Sequence, residues 1–132
     1  MPLIQITVAG PTLPPDAIRS LQHETTRLMH EVLHKEAALT VVAVSQLPAT
    51  AASAGGEPVE AVWLQAQITA GTNTLGEKAA FIAAAEAMLV ATLGAPAAPT
   101  YVVLHEVPAT DWGYDGLSQA ARRQAHAARV AA

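Results

Sequence analysis

The chain of 132 residues contains no cysteine. That removes disulfides, thiolate metal ligands and thiol nucleophiles at a stroke. Aromatic residues are scarce, at 4%, so the core has to be built from aliphatic side chains, chiefly alanine, valine, leucine and isoleucine. Charge is scarce too: 14% against the quarter usual in soluble domains. So small and apolar a domain is expected to bury surface against copies of itself. The seven Lys and Arg residues form no run longer than Arg122-Arg123, and the net charge is −4. Nucleic-acid binding, which needs clustered cations, is not expected. No apolar run is long enough for a membrane span, and no leader pattern opens the sequence. No membrane partner is expected, and the cytoplasm is the expected compartment.

What is present is a repeat. The first copy opens Pro2-Leu-Ile-Gln-Ile-Thr-Val-Ala-Gly10 and the second Trp63-Leu-Gln-Ala-Gln-Ile-Thr-Ala-Gly71, an offset of 61. Thr40-Val41-Val42 and Leu47-Pro48-Ala49-Thr50 return as Thr100-Tyr101-Val102 and Val107-Pro108-Ala109-Thr110, an offset of 60. Between the strands of the first copy, Ile18, Leu21, Thr25, Leu28 and Val32 recur at spacings of 3 and 4, one face of an amphipathic helix started by Pro14-Pro15. In the second copy Thr74-Leu-Gly-Glu77 reads as a capping box, Ile82, Ala85, Leu89 and Leu93 as the buried stripe, and Gly94 as the C-cap. Each copy is thus strand, helix, strand, and a right-handed crossover makes its two strands parallel. The expected fold is α/β: two β-α-β units in one four-stranded sheet with both helices on one face. The repeats span 2–50 and 62–116, joined by an Ala/Ser/Gly-rich linker at 51–61, with a turn-rich hairpin through Asp111–Gly116 and an alanine-rich, helical tail from residue 117 to 132.

Two patterns offer chemistry. A small residue after Met1 permits removal of the initiator, which would leave Pro2 a free secondary amine at the head of an ordered strand. Apolar walls favour the neutral form of such an amine, and a neutral amine near pH 7 is a general base. The second pattern is His30-Glu31-Val32-Leu33-His34, which matches the H-E-x-x-H zinc motif. It lacks a third ligand at the extended spacing, where Ala37 and Thr40 stand. His23, Arg27, His30 and His34 lie opposite the buried stripe, so a polar outer helix face is expected, with no metal and no cofactor.

Met1-Pro-Leu-Ile-Gln-Ile followed by helix and strand resembles the 4-oxalocrotonate tautomerase family. So do Thr92-Leu-Gly-Ala-Pro96, Glu106-Val-Pro108 and Asp111-Trp-Gly113 through Gly116, and the resemblance covers nearly the whole chain as two fused copies. It implies a homotrimer of two-unit chains, and enol–keto isomerisation of small carbonyl acids with Pro2 as the base. The family's arginines are missing. The first falls at Pro11 or Thr12 and at Thr72, the second at Val41 and Tyr101, and the dehalogenase arginines at Thr69 and Thr72. The family's aromatic wall is kept as Trp112, while Ala52 or Ser53 falls there in the first copy. The implied pocket is Pro2 with Trp112 as wall, Tyr101 as hydroxyl donor, and Thr72 and Asn73 as further hydrogen-bonding groups. Two other readings stay open: a non-catalytic ligand-binding or structural module of ferredoxin-like order, and a zinc hydrolase through His30, Glu31 and His34.

Overall fold

The computed structural model describes residues 2–131. In chain order, β1 spans Leu3–Ala9, α1 Pro15–Glu31, β2 Val41–Leu47, β3 Ser53–Ala54, β4 Glu57–Pro58, β5 Ala61–Thr69, α2 Leu75–Leu93, β6 Tyr101–Val107, β7 Gly113–Tyr114, β8 Leu117–Ser118 and α3 Gln119–Ala131. The main sheet has the order β2-β1-β5-β6. β1 and β2 are parallel, as are β5 and β6, and the two units meet antiparallel through β1 and β5. An approximate twofold relation therefore passes between the central strands.

Alternation along the central strands decides which side is covered. Ile4, Ile6 and Val8 of β1 and Val62, Leu64 and Ala66 of β5 are buried. They join Leu21, Leu28 and Met29 of α1 and Phe81, Ala85, Met88 and Leu89 of α2 in one apolar cluster, so both helices lie on the same face. The expected stripe of α2 is corrected in one place: Ile82 is 41% exposed, and Phe81 with Met88 faces the sheet instead. Eight residues span just over two helical turns, so Phe81, Ala85 and Met88 keep one face while Ile82 rotates off it. The helix starts as read, Thr74 and Glu77 exchanging side-chain and backbone hydrogen bonds. On the other face of the sheet Leu3, Val41 and Tyr101 stay exposed.

The stretch 51–61 carries structure of its own, the β3–β4 hairpin closed by Gly55-Gly56 at φ 59° and 86°. Its counterpart is β7–β8, closed by Asp115-Gly116 at φ 50° and 85°. Positive φ at both central residues is the primed turn that matches strand twist. The two hairpins stand 60 residues apart. Pairing gives the same figure: Gly10 N–H bonds Leu47 O, and Ala70 N–H bonds Val107 O. The two copies therefore superpose at 60 throughout, and the offset of 61 read from Ala-Gly is a one-residue slip. Past β8, Ser118 Oγ accepts from Ala121 N–H at 3.0 Å, and the Arg122 guanidinium stacks 3.7 Å from the Tyr114 ring centroid. Those contacts anchor α3 to the hairpin.

Candidate active site

Pro2 is buried at the head of β1, and its carbonyl accepts from Val41 N–H at 3.3 Å. Met1, whose removal the sequence reading requires, lies outside the described residues. Leu3 stands opposite Gln67, so the next step in the antiparallel register sets Pro2 beside the last residues of β5. This end of the sheet also receives the end of α1, the start of α2 and the end of β6.

A turn after α1 brings in a cation that the sequence reading missed. Glu31 is the last helical residue, and His34 adopts φ 60°. The left-handed step sends the chain back, and Lys35 N–H reaches Met29 O at 3.0 Å, six residues earlier. The Lys35 side chain is thereby folded inward, with the residue only 7% exposed. Its ammonium donates to Thr72 Oγ1 at 2.8 Å, and Thr72 Oγ1 donates to Thr69 O at 2.7 Å. Among the described residues no carboxylate lies within ion-pair distance of it. Burial pushes the Lys35 ammonium below the ordinary lysine range; Glu77 and Glu106 pull the other way, and Arg123 adds to the push.

Other contacts lock the surrounding loop. Asn73 Nδ2 donates to Leu33 O at 2.9 Å, joining the two helix ends. Glu106 pairs with Lys78 and accepts from Gly71 N–H at 3.2 Å, and these two contacts hold its carboxyl below the usual range. Glu77 is held low first by the Thr74 backbone N–H, with smaller help from Asn73 and His34. Trp112 donates from Nε1 to Thr69 Oγ1 at 3.2 Å, which lays its ring across the end of β5.

Pro2, Thr72, Asn73 and Trp112 therefore share one end of the sheet with Lys35. Tyr101 does not. It pairs with Trp63, and Trp63 with Thr7, which sets Tyr101 at the opposite end, 65% exposed on an edge strand. A pocket within one protomer that contains both Pro2 and Tyr101 is not formed. The cause is topology: β6 begins at the end where β1 finishes.

The H-E-x-x-H pattern is dismantled by the same turn that positions Lys35. His34 is off the helix and sits 3.0 Å from Glu77, while His30 Nδ1 lies 3.0 Å from Lys35 O. The i, i+4 helical geometry that would let both histidines grip one ion is gone, and with it the basis of the zinc hydrolase reading.

Comparison with known proteins bears on the family and the fold. Residues 64–122 match the family described as "Tautomerase enzyme". A probable tautomerase of Ralstonia nicotianae is 41% identical over 52 residues, which are 39% of this chain and 74% of that protein. Among solved structures, a fused 4-OT symmetric trimer superposes with a TM-score of 0.83 at 24% identity, covering 91% of this chain and 98% of that one. A fused 4-OT asymmetric trimer gives 0.83 at 25% identity over the same shares. The chain belongs to the tautomerase family, as a fused two-unit member of the 4-oxalocrotonate tautomerase type.

Proposed function

We propose that this tautomerase acts on small enol or keto acids, with Pro2 as the base once Met1 is removed. The observation that carries the reading is that one end of the sheet holds both a buried strand-head proline and a buried lysine with no carboxylate partner among the described residues. A neutral Pro2 nitrogen takes a proton from the enol hydroxyl or the α-carbon, and the resulting ammonium delivers it to the other position. Lys35 takes the place of the absent arginines: its ammonium, held by Thr72, binds the substrate carboxylate or the developing enolate oxygen. A desolvated cation suits that work because it has little water to lose. Thr72 and Asn73 position Lys35 and its loop, and Trp112 forms the apolar wall.

The same reading includes a homotrimer. The exposed apolar residues Leu3, Val41 and Tyr101 on the uncovered sheet face support it, as do the trimers among the similar structures. On this reading Tyr101 reaches a Pro2 site only across a protomer boundary, since the two stand at opposite ends of one sheet. Sedimentation at low micromolar concentration gives about three chain masses on this reading.

The test compares processed protein with a form that keeps a residue ahead of Pro2, both checked by intact mass, in ketonisation of enol phenylpyruvate. Acylation turns the amine into an amide and leaves the fold in place. Loss of turnover in the blocked form, with a rate in the processed form that rises with pH through one ionisation, supports the proline base. Equal turnover in both forms refutes it.

A further inference from the structure

The end of the sheet remote from Pro2 contains a cavity of about 390 Å³, between the start of α1 and the end of α2, floored by Val8 and Val62. We propose that it is a binding site for a small alkylammonium ion, a site separate from the Pro2 end and independent of the reading of that end.

The 60-residue equivalence explains why space exists here. Val62 stands where Pro2 stands in the other copy, Leu13 where Asn73 does, and Ala95 where Lys35 does. At the Pro2 end Lys35 and Asn73 reach across and bond Thr72 and the Leu33 carbonyl. At the remote end a methyl group and a leucine replace them, so nothing spans the gap. The volume falls in the range of small-ligand pockets. Ala17, Leu13, Leu93 and Val62 give it apolar walls suited to a short alkyl chain.

Its polarity is opposite to that of the Pro2 end. Glu60 is the only charged side chain on the lining. Its Cγ and Cδ lie 3.5 and 3.6 Å from where a Cβ on Gly10 would stand, so the absent side chain of Gly10 lets the carboxylate arm rest against the wall. α2 ends here with no basic residue in its last turn, and Pro96 follows with no N–H to offer its last carbonyls. The start of α1 would attract anions, but Pro14 and Pro15 have no N–H to donate. The amides of Ala17 and Ile18 are already given to Pro14 O at 3.0 and 3.3 Å, which leaves the Asp16 amide in that turn, beside the negative charge of its own side chain. The Thr12 and Thr92 hydroxyls on the lining can donate, but a carboxylate finds no cation there and meets the negative charge of Glu60. An ammonium finds the Glu60 carboxylate and helix-end carbonyls, with an apolar chamber behind them for its alkyl chain.

The test is a titration of the ¹⁵N-labelled full-length protein with n-butylammonium, 1-butanol and butyrate, followed by backbone amide shifts. Butylammonium is expected to give saturable shifts at Gly10, Thr12 and Gly94 at low-millimolar concentration. 1-Butanol, the same size without charge, is expected to bind about threefold or more weaker, and butyrate not at all. Glu60→Gln should bring butylammonium down to the level of 1-butanol. Filling the cavity with Ala17→Leu should abolish both; if that variant does not fold, Ala95→Leu, in the loop beyond α2, serves in its place. Absence of saturation, equal binding of 1-butanol, an unchanged ratio in Glu60→Gln, or shifts confined to Gly71 and Thr72 would each overturn the proposal.

Discussion

The two ends of the sheet are built on one backbone plan and carry different chemistry. At one, a left-handed residue after α1 is a histidine, His34 at φ 60°; at the other, after α2, it is Gly94 at φ 81°. The chain then presents Lys35 in the first case and Ala95 in the second. A lysine turned inward fills its end with a hydrogen-bonded cation, and an alanine leaves a chamber. After the edge strands, Trp112 stands at one end and Ala52 at the other. Fusion of the two copies lets such differences accumulate, because each position now has its own codon. The fold persists because the buried set is shared between the copies: Leu21 with Phe81, Leu28 with Met88, Met29 with Leu89.

The shared core is where the comparison breaks most violently. Phe81 and Leu21 are both fully buried and occupy equivalent positions on the two helices. Phe81→Ala removes the larger side chain and should cost about 3–5 kcal/mol, against about 2–5 kcal/mol for Leu21→Ala. Denaturant unfolding of both variants measures the difference, and a smaller loss at Phe81 would show that α2 is the less tightly packed helix.

Lys35→Ala makes the Pro2 end resemble the remote end. With the substrate carboxylate losing its charged partner, kcat/KM should fall about 10- to 100-fold, the usual worth of a hydrogen bond to a charged group. Lys35→Arg should recover part of the loss. Stability should hold or improve, because the variant no longer buries an ammonium. A variant with full activity would remove Lys35 from the site and return the question of the missing arginines.

How much of this was legible in the sequence follows from how far each feature depends on neighbours in the chain. The strand–helix–strand order, the parallel pairs and the Thr74–Glu77 cap are local patterns, and they stand in the structure. Lys35 was not legible, because its burial depends on His34 taking a conformation that glycine usually supplies. The one-residue slip came from matching Ala-Gly pairs. In fact Gly10 corresponds to Ala70, and small residues near a strand end mark register poorly. The hairpin in 51–61 was hidden because Gly-Gly reads equally as linker and as primed turn. Tyr101 enters the Pro2 pocket only by likeness to the family, which fixes a position in the chain and not its distance from Pro2 in the fold.

The helix starts offer a milder contrast. α2 begins with a reciprocal capping box, whereas α1 begins after Pro14 with no side-chain cap. Thr74→Ala should cost about 1 kcal/mol and fray the first turn of α2. Pro14→Ala removes no cap, so it should act only through chain stiffness, by about 0.4–1 kcal/mol. Melting of the two variants sharpens the comparison, and it would fail if Pro14→Ala proved the more damaging.

The smallest effect expected concerns acid. Each end has a side-chain clip on the loop after its central strand, made by equivalent residues, Glu106 and Gln46, to amides two positions out of register. Glu106 Oε2 accepts from Gly71 N–H at 3.2 Å, and Gln46 Oε1 accepts from Leu13 N–H at 2.6 Å. Only the first can titrate. Bonds from Lys78 and the Gly71 amide hold the Glu106 carboxyl below its ordinary range, so the unfolded chain takes up a proton more readily than the native one. Its contribution to stability is complete above the unfolded carboxylate value and is lost as pH falls through the lowered folded value. Both groups of the clip are partly open to solvent, so the change is local. Amide exchange, corrected for the intrinsic rate, should show protection of Gly71 falling through the acid range while that of Leu13 stays level. Glu106→Gln should make the Gly71 profile as flat as that of Leu13. Parallel loss at both amides would mean that acid opens the whole sheet at once, and that the two ends are not independent.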